Sequence, residues 1–455
     1  MITALRKWWR SFDVYANPRV RAMLFLGFSS GLPFALVLTT LSARLRQAGI
    51  DRTTIGYFSL VGLAYSLKYF WSPVVDRLPL PGLARLGRRR SWMLLSQACI
   101  AIGLMALAFA NPAVDAQRVA MLAVFTAFAS ATQDIAVDAY RIEAAQADTQ
   151  GAMAAAYQTG YQLALICTGA GALTLAAQMG WKGSYAIMAV CALVGLVTTL
   201  VIAEPAVGRV ASVRPPEPLV DRFERWAGRW PKPVRILVAW CIGAVVCPFV
   251  DFFARMGWKT ALPVLALVVT YRLNYTTMGV AANTFYLDIG FTLEQIALVS
   301  KVYGILMTIA GAFLAGVLIR RYGIARTLLI GLVLLSGANL VYAYIASIHP
   351  GIAWLATAVS ADNVANGIAG TAFIAYMSSL TSPNYTATQY ALFGTLWSLP
   401  AKSIASQWGK IVDAWGYPPF FVYTAAIGLF ALPLVLWLVW RERRGGYMNR
   451  GEAGA

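Results

Sequence analysis

The 455 residues would suffice for about three ordinary soluble domains, but 59% of them are hydrophobic and only 12% are charged, against roughly 45–50% and 25% in soluble proteins. A mean hydropathy of +0.64 requires an apolar surface, which a bilayer tolerates and water does not. The net charge of +18 does not indicate a nucleic-acid partner, because the basic residues lie between apolar runs and not on one face of a compact domain. The composition predicts a polytopic membrane protein.

Twelve segments are apolar and long enough, at about 20 residues, to cross a bilayer as helices. They are residues 21–45, 53–75, 91–110, 117–142, 150–178, 182–203, 258–288, 292–319, 325–347, 352–380, 385–411 and 417–440. The expected fold is therefore an all-α membrane protein in two six-helix halves. The predicted parts are a first bundle over residues 1–203, a linker over 204–257, a second bundle over 258–441 and a tail over 442–455.

Basic residues in the short loops predict the orientation of the chain. With the N-terminus inside, 26 of the 37 Lys and Arg residues lie on the cytoplasmic side, six lie on the other side and five lie within spans. Cytoplasmic loops carry an excess of Lys and Arg. Both termini are therefore expected to be cytoplasmic.

The linker contains an apolar run, residues 236–253, and a segment rich in Arg and Trp, residues 221–230. A single additional span would place later Arg clusters outside, against the same charge rule. We interpret both segments as amphipathic helices that lie on the inner leaflet. The alternative is that they form an extra pair of spanning helices.

The two halves resemble each other, which suggests a duplicated six-helix unit. The matching features are Gly31-Leu32-Pro33 and Arg272-Leu273-Asn274, which end 16 residues before Gly49 and Gly290; Asp134 and Asp138, spaced like Asp362 and Asn366; and Gly180-Trp181 and Gly416-Tyr417. Parallel repeats of this kind form a substrate site near the middle of the membrane, between the halves.

Several chemistries are excluded by what the sequence lacks. The single histidine, His349, stands in a loop, so no His-based triad or HExxH helix can form. The five cysteines lie in apolar runs without metal-site or disulfide spacing, and the sequence has no Walker loop. We expect neither an enzyme nor an ATP-driven pump, and no cofactor or metal; a non-transporting membrane sensor remains an alternative.

Charged residues inside the predicted spans indicate the site, because a charge in hydrocarbon must face a wet cavity or a partner. The cations are Lys68, Arg141, Arg272, Lys301 and Lys402, and the anions are Asp134, Asp138 and Asp362, with Glu143 at the edge of its span. Five cations against three anions predict a positive cavity and an anionic substrate.

Individual roles follow from residue chemistry. Arg272, Lys301 and Lys402 are the predicted carboxylate clamp, with Arg272 foremost because its planar fork suits a bidentate contact. Lys68 either pairs with Asp134 or Asp138 or contacts the substrate. Aromatic rings and amides that could contact sugars are Trp71, Tyr161, Tyr376, Trp397, Gln158 and Gln162.

The three carboxylates Asp134, Asp138 and Asp362 are the candidates for proton coupling. Asp134, Asp138 and Arg141 follow the spacing i, i+4 and i+7 and so share one helical face. Two interpretations stay open for that face, a purely structural ion-pair network and a gate with a proton site.

The loop between the second and third spans, with Asp76-Arg77 and then Gly87-Arg88-Arg89-Arg90, resembles that of the major facilitator superfamily. The wider match is to the AmpG family of muropeptide permeases. It is carried by Gly27-Phe28-Ser29-Ser30-Gly31-Leu32-Pro33, residues 54–62, Leu67-Lys68-Tyr69-Phe70-Trp71-Ser72-Pro73, Ala131-Thr132-Gln133-Asp134-Ile135, Asp138-Ala139-Tyr140-Arg141, residues 248–253, Lys301 and Ala387-Thr388-Gln389-Tyr390.

This resemblance implies a monomeric carrier in a bacterial inner membrane that imports anhydro-muropeptides (GlcNAc-anhydroMurNAc with or without peptide) for peptidoglycan recycling, driven by protons through alternating access. It also implies a conformational latch made of Asp76, Arg77, Arg88, Arg89 and Arg141. Related carriers of siderophores or acyl-CoA share the loop, so another anionic solute is the alternative substrate. The chain departs from the family pattern at Gln162, where Arg is expected, and at Tyr275, where Asp is expected.

Overall fold

The computed structural model describes residues 13–51, 54–55, 58–146, 149–205, 217–348 and 351–444. Every regular element within these ranges is helical. The all-α fold expected from the composition is therefore confirmed.

Among the described residues of the first half, six helices correspond to the six predicted spans. They are α1 (Pro18–Val37 and Thr39–Gln47), α2 (the short pieces Ser59–Gly62, Leu63–Leu67, Lys68–Phe70 and Ser72–Arg77), α3 (Arg88–Phe109), α4 (Ala116–Ala144), α5 (residues 150–179) and α6 (residues 181–201). Helices α5 and α6 follow each other directly. They are separated by a sharp turn at Gly180, whose φ of 75° and ψ of 169° are not helical.

The linker contributes two helices, α7 (Pro218–Trp226) and α8 (Lys232–Met256). The second half then repeats the six-helix pattern. Its helices are α9 (Trp258–Thr270 and Leu273–Asp288), α10 (Leu293–Ile296, Ala297–Tyr303 and Gly304–Tyr322), α11 (Ile324–Ile345), α12 (Ile352–Ser379), α13 (Thr386–Ala405, followed by Trp408–Trp415) and α14 (Tyr417–Leu429 and Leu432–Arg443).

Glycines in the left-handed region mark corresponding points of the two halves. The pairs are Gly49 (φ 83°) and Gly290 (φ 96°) after α1 and α9, Gly87 (φ 99°) and Gly323 (φ 84°) before α3 and α11, and Gly180 (φ 75°) and Gly416 (φ 80°) before α6 and α14. Glycine adopts these angles without the steric cost that a Cβ atom imposes. The two halves therefore turn at the same places, as the sequence repeat predicted.

Eight helical stretches of the described residues are long and apolar enough to cross a membrane, with α5 and α6 counted as one and α8 included. The remaining predicted spans correspond to α2, α9, α12 and α13. These helices are interrupted or rich in polar residues, as cavity-lining helices of a transporter are.

Most of the described polar contacts between the two halves lie at one end of the bundle, which we call the basic end: the end where α1 begins, α2 ends, α3 begins and α14 ends. Contacts between the halves run from α5 to α10 and α12, and from α2 and α4 to α13. At the α5–α10 contact, Gly151 lies against Ile319, and Tyr15 Oη donates a hydrogen bond to the carbonyl of Phe313 at 2.9 Å. Each half also has its own apolar core.

Candidate functional site

Three of the predicted intramembrane charges of the first half form one cluster. Asp138 lies between two cations, with Lys68 Nζ at 3.6 Å and Arg141 Nη2 at 3.4 Å. Only 9% of the Asp138 side chain and 17% of the Lys68 side chain are exposed. The i, i+3 spacing on α4 brings Asp138 to Arg141. The pairing of Lys68 with Asp138, and not with Asp134, is decided by the packing of α2 against α4.

Arg141 is fully buried where the two halves meet. Its Nη1 donates a hydrogen bond to Ser378 Oγ of α12 at 2.8 Å, and its guanidinium lies over the rings of Tyr157 on α5 and Tyr390 on α13, at 5.8 and 5.2 Å from the ring centres. A buried guanidinium needs such partners because it carries a full charge away from water. Arg141 therefore links four helices from both halves.

Asp134 differs from Asp138 in having no close ion-pair partner. Its Oδ1 atom is buried and makes no hydrogen bond within the described part of the chain, while Lys68 and Asp138 are within electrostatic range. Asp362, the matching residue of the second half, has the same feature at its own Oδ1 atom. Each half thus contributes one buried carboxylate with an unused oxygen.

Arg272 occupies the equivalent region of the second half. Its Nη2 donates a hydrogen bond to the neutral side chain of Asn366 at 3.0 Å, and its guanidinium lies over the rings of Tyr275 and Trp397, at 4.5 and 5.9 Å. Asp362 is within electrostatic range but does not form a salt bridge with it. The Nε donor of Arg272 has no hydrogen-bond partner among the described residues, so this cation retains capacity for an anion.

The two lysines of the predicted clamp are placed differently. Lys402 Nζ donates a hydrogen bond to Ser66 Oγ of α2 at 2.9 Å, so it contacts the first half directly. Lys301 belongs to the segment Ala297–Tyr303 of α10, but its side chain lies outside the described part of the structure. The structure therefore places Arg272 against α13, the helix that carries Lys402, through the ring of Trp397. The role of Lys301, the third member of the predicted clamp, stays a prediction.

The predicted aromatic and amide contacts separate into two groups. Tyr161, Gln158, Gln162 and Trp397 are half-buried, so each retains surface for a ligand. Tyr376 is only 1% exposed, because it is packed in the core of the second half. In this conformation it has no surface for a sugar, contrary to our expectation.

Trp71 also lies away from the charged cluster. Its Nε1 donates a hydrogen bond to Thr132 Oγ1 at 3.2 Å, and its ring lies 4.7 Å from that of Phe128. Phe128 is half exposed and lines an apolar outer groove of α4. Positions 128 and 132 face away from positions 134, 138 and 141 on an α-helix. Trp71 therefore packs against a different face of α4 from the one that carries the acidic residues.

Three of the five predicted latch residues, Asp76, Arg88 and Arg89, form a buried charge network with Glu143 at the basic end, whereas Arg141 pairs with Asp138 and Arg77 with Glu217. Arg89 is fully buried and contacts both Asp76, at 2.8 Å, and Glu143, at 2.5 Å. Arg88 contributes a longer contact to Glu143, at 3.7 Å, and a hydrogen bond to the backbone carbonyl of Asp76. Burial strengthens these interactions, since the local dielectric is low, and makes the loss of any one member costly.

Asp76 also reaches across to the second half. Its two carboxylate oxygens accept hydrogen bonds from the backbone N–H groups of Ala387 and Thr388, at 3.1 and 2.7 Å, and from the Thr388 hydroxyl at 2.7 Å. These are donors of the first turn of α13, which have no partner within the helix. The carboxylate also complements the positive end of the helix dipole.

Arg77 is tied to the linker. It contacts the carboxylate of Glu217 and the carbonyl of Gly243, and the Tyr385 hydroxyl donates to the same Glu217 carboxylate at 3.3 Å. Glu217 therefore bridges the end of α2 in the first half and the start of α13 in the second.

Helix α8 contacts the second half at the same end. Gln389 Nε2 donates hydrogen bonds to the Pro248 carbonyl and to Asp251, both at 2.9 Å. Arg255 donates to the carbonyl of Leu380 at 3.1 Å. These contacts join the linker to the beginning of α13.

Sequence reasoning did not identify several of these partners. They are Glu217, Ser66 and Ser378, together with Glu204, which accepts hydrogen bonds from the backbone N–H groups of Arg89 and Arg90, and Thr395, whose hydroxyl donates to the Ser66 carbonyl at 3.2 Å. Hydroxyl groups in apolar helices are common and carry no distinguishing pattern, and Glu217 is one acidic residue of a charged linker. Glu143, at the edge of a predicted span, was the one signal available from the sequence.

No group of three or more His, Cys, Asp or Glu residues in the described ranges could hold a metal ion. The chemistry of the arrangement is instead that of cations, carboxylates and aromatic rings at the contact between two helical bundles.

The comparisons with known proteins agree with this architecture. The model of the Major Facilitator Superfamily matches residues 23–401. A protein named "Putative transporter AmpG 4" from Rickettsia conorii is 31% identical over 431 residues, which cover 94% of this chain and 98% of that protein. The "Anhydromuropeptide permease" of Escherichia coli K12 is 34% identical over 425 residues, which cover 93% and 80%.

Solved structures show the same fold at low identity. A proton:xylose symporter, XylE, matches with a TM-score of 0.63 and 12% identity, over 94% of this chain and 96% of that chain. The human organic anion transporter MFSD10 matches with a TM-score of 0.64 and 15% identity, over 92% and 100%. At these identities the two structures establish the fold alone.

Proposed function

Since the chain belongs to the major facilitator superfamily and, within it, to the AmpG permeases, we propose that it imports anhydro-muropeptides from the periplasm to the cytoplasm. It is a multi-pass transporter of the inner membrane and not an enzyme. The relatives that carry the permease name supply the substrate class, and the excess of five cations over three anions in the predicted spans agrees with the carboxylates of a muropeptide peptide.

Arg272 is the observation that supports an anionic substrate most directly. Arg272 and Arg141 each have a neutral hydrogen-bond partner, two aromatic neighbours and an unused Nε donor, but Arg141 also pairs with Asp138, whereas Arg272 forms no salt bridge to a described carboxylate. A carboxylate can form a bidentate contact with such a guanidinium. Tyr275 and Trp397 beside it offer ring faces to the sugar or the peptide.

The buried carboxylates support coupling to protons. Asp134 has an unused oxygen and forms no salt bridge to a described residue, whereas Asp138 lies between Lys68 and Arg141. A carboxylate without a close partner gains a proton more readily than one between two cations. We assign proton uptake to Asp134 and the gate to Asp138 and Arg141.

Alternating access agrees with the contacts between the halves. Asp76, Arg141 and Glu217 all join the two halves at the basic end, so the described state is closed there. If that end is cytoplasmic, as the 26 basic residues against six indicate, substrate enters from the opposite side. Opening toward the cytoplasm then requires these contacts to break.

Transport into proteoliposomes tests the proposed function. Purified protein with an imposed pH gradient should accumulate labelled GlcNAc-anhydroMurNAc-peptide, and unlabelled muropeptide should compete with the label. The same ligand with its carboxylates methyl-esterified is the matched control and should compete poorly. Competition by a siderophore or an acyl-CoA but not by muropeptide would assign the carrier to another anion, and the absence of any uptake would favour a sensor.

A further inference from the structure

A groove on the outer surface of the first half lies apart from the charged cluster. Its volume is about 810 Å³, and its walls come from the start of α1, the end of α4 and the second half of α6. Arg19 and Arg21 line one end of the groove, and Phe25, Val190, Val197 and Val201 are among the apolar residues of its walls. It is therefore apolar along its length and basic at one end.

The exposed side chains of the groove face outward from the bundle. Phe25 is 48% exposed, Val197 57% and Val201 81%. In a membrane-spanning helix, exposed apolar side chains of this kind contact lipid.

The dimensions of the groove match one leaflet of a bilayer. From Val190 to Val201 the helix α6 rises about 16 Å, at 1.5 Å per residue. Half of the hydrocarbon core measures about 15 Å. The apolar wall thus spans the depth of one set of acyl chains, and its basic end lies at the level of the headgroups.

The charges at that level are unbalanced. Arg21 is exposed and has no ion pair or hydrogen bond from its side chain to any described residue, and Arg19 uses one donor for the carbonyl of Ala144, at 3.2 Å. A guanidinium has five donors, so several remain available. No Asp or Glu is among the described residues that line the groove.

We propose that this groove binds an anionic glycerophospholipid, with the phosphate at Arg19 and Arg21 and the acyl chains along α1 and α6. The two arginines supply the charge and the bidentate geometry that a phosphodiester requires. The apolar grooves lined by residues 117–128 and by residues 101–109 with 189–193 have no cation among their described lining residues. The site is distinct from the path between the two halves and does not depend on the substrate proposed above.

Native mass spectrometry of the full-length protein in detergent tests the site, with phosphatidylglycerol and the zwitterionic phosphatidylcholine as probes. The wild-type protein should retain phosphatidylglycerol at least tenfold more than phosphatidylcholine. Arg19→Gln combined with Arg21→Gln should remove that preference. The matched control, Arg320→Gln with Arg321→Gln, changes two exposed arginines of the second half at the same end and should leave it unchanged.

A second variant tests the apolar wall separately from the charge. Val197→Trp fills the groove at an exposed position and should lower the retention of both lipids. Inorganic phosphate at millimolar concentration should not displace phosphatidylglycerol, because phosphate has no acyl chains to pack against the apolar wall of the groove. Three results would each overturn the proposal. They are equal retention of both lipids by the wild type, loss of the phosphatidylglycerol preference in the Arg320/Arg321 control as well, and displacement of phosphatidylglycerol by inorganic phosphate alone.

Discussion

The carboxylate of Asp76 at the end of α2 accepts hydrogen bonds from both the backbone N–H and the hydroxyl of Thr388 at the start of α13, each at 2.7 Å. The two residues are 312 positions apart and belong to different halves. Asp76 thus caps a helix of the opposite bundle while it pairs with Arg89 of its own. A single buried carboxylate therefore couples the charge network of the first half to the position of α13.

Replacement of Asp76 by Asn should destabilise the state that is closed at the basic end. The substitution removes the negative charge and replaces one carboxylate oxygen by an NH2 group. That NH2 group then faces N–H or O–H donors of Arg89, Ala387 or Thr388, with which it cannot form the same hydrogen bonds. Hydrogen bonds to charged groups contribute about 1.5–3 kcal/mol each, so the closed fraction should fall about tenfold or more relative to the open one. Distances between spin labels at Arg85→Cys and Arg321→Cys, in a background without the native cysteines, measure this fraction.

Asp115→Asn is the control for that measurement. Asp115 caps α4 through the N–H of Arg118, at 2.8 Å, but it lies at the opposite end and does not join the halves. The distance distribution should stay that of the parent protein. An equal shift in both variants would assign the effect to general loss of helix capping and not to the contact between halves.

Arg272→Ala should abolish transport while the protein remains inserted and folded. Truncating one partner of a buried charged contact costs about 2–5 kcal/mol, which corresponds to a loss of uptake of at least 30-fold. Arg272→Lys should restore little, because an ammonium lacks the planar fork. Initial rates of muropeptide uptake, with elution in size-exclusion chromatography as the folding check, test this expectation.

The control for Arg272 is Arg118→Ala, since Arg118 is an exposed cation away from the charged cluster. It should transport at the parent rate. If Arg272→Ala also transports at that rate, Arg272 has a structural role, and the carboxylate contact must be sought at Lys301 or Lys402.

Asp134→Asn should uncouple uptake from the pH gradient and still allow exchange of substrate at equal concentrations on both sides. Asp138→Asn should impair both assays, because Asp138 lies between Lys68 and Arg141 and its loss leaves two buried cations without their anion. Gradient-driven accumulation and equilibrium exchange, measured on the same preparations, separate the two roles. Accumulation that persists in Asp134→Asn would move the assignment to Asp362.

Labelling with an impermeant thiol reagent tests the orientation. In a cysteine-free background, Ser212→Cys and Gly445→Cys should react only after the cells are permeabilised, because the basic loops retain the linker and the tail in the cytoplasm. Val114→Cys, 82% exposed at the opposite end, should react in intact cells. Labelling of Ser212→Cys or Gly445→Cys in intact cells would contradict the expected orientation.

The path of the linker is tested by one more position in the same assay. Arg229→Cys lies between α7 and α8. It should be protected in intact cells if these helices lie on the inner leaflet. Labelling there would support the alternative, an extra pair of spanning helices.

The sequence alone determined the membrane class and the six-plus-six division, and it located the intramembrane charges, each of which must face a wet cavity or a partner. These follow from local quantities, namely apolar length, loop charge and the cost of a charge in hydrocarbon. The shared face of Asp134, Asp138 and Arg141 also follows from the sequence, because helix periodicity fixes it.

Only the tertiary structure decided which of these groups meet. Lys68 pairs with Asp138 across two helices, Arg141 reaches Ser378 of the other half, and Trp71 packs on a face of α4 away from the acidic residues. Such pairings depend on the rotation of each helix about its axis and on the packing of distant segments, which spacing along one chain does not specify. The link between Asp76 and Thr388 has the same origin, since its geometry exists only when the two bundles dock at the basic end.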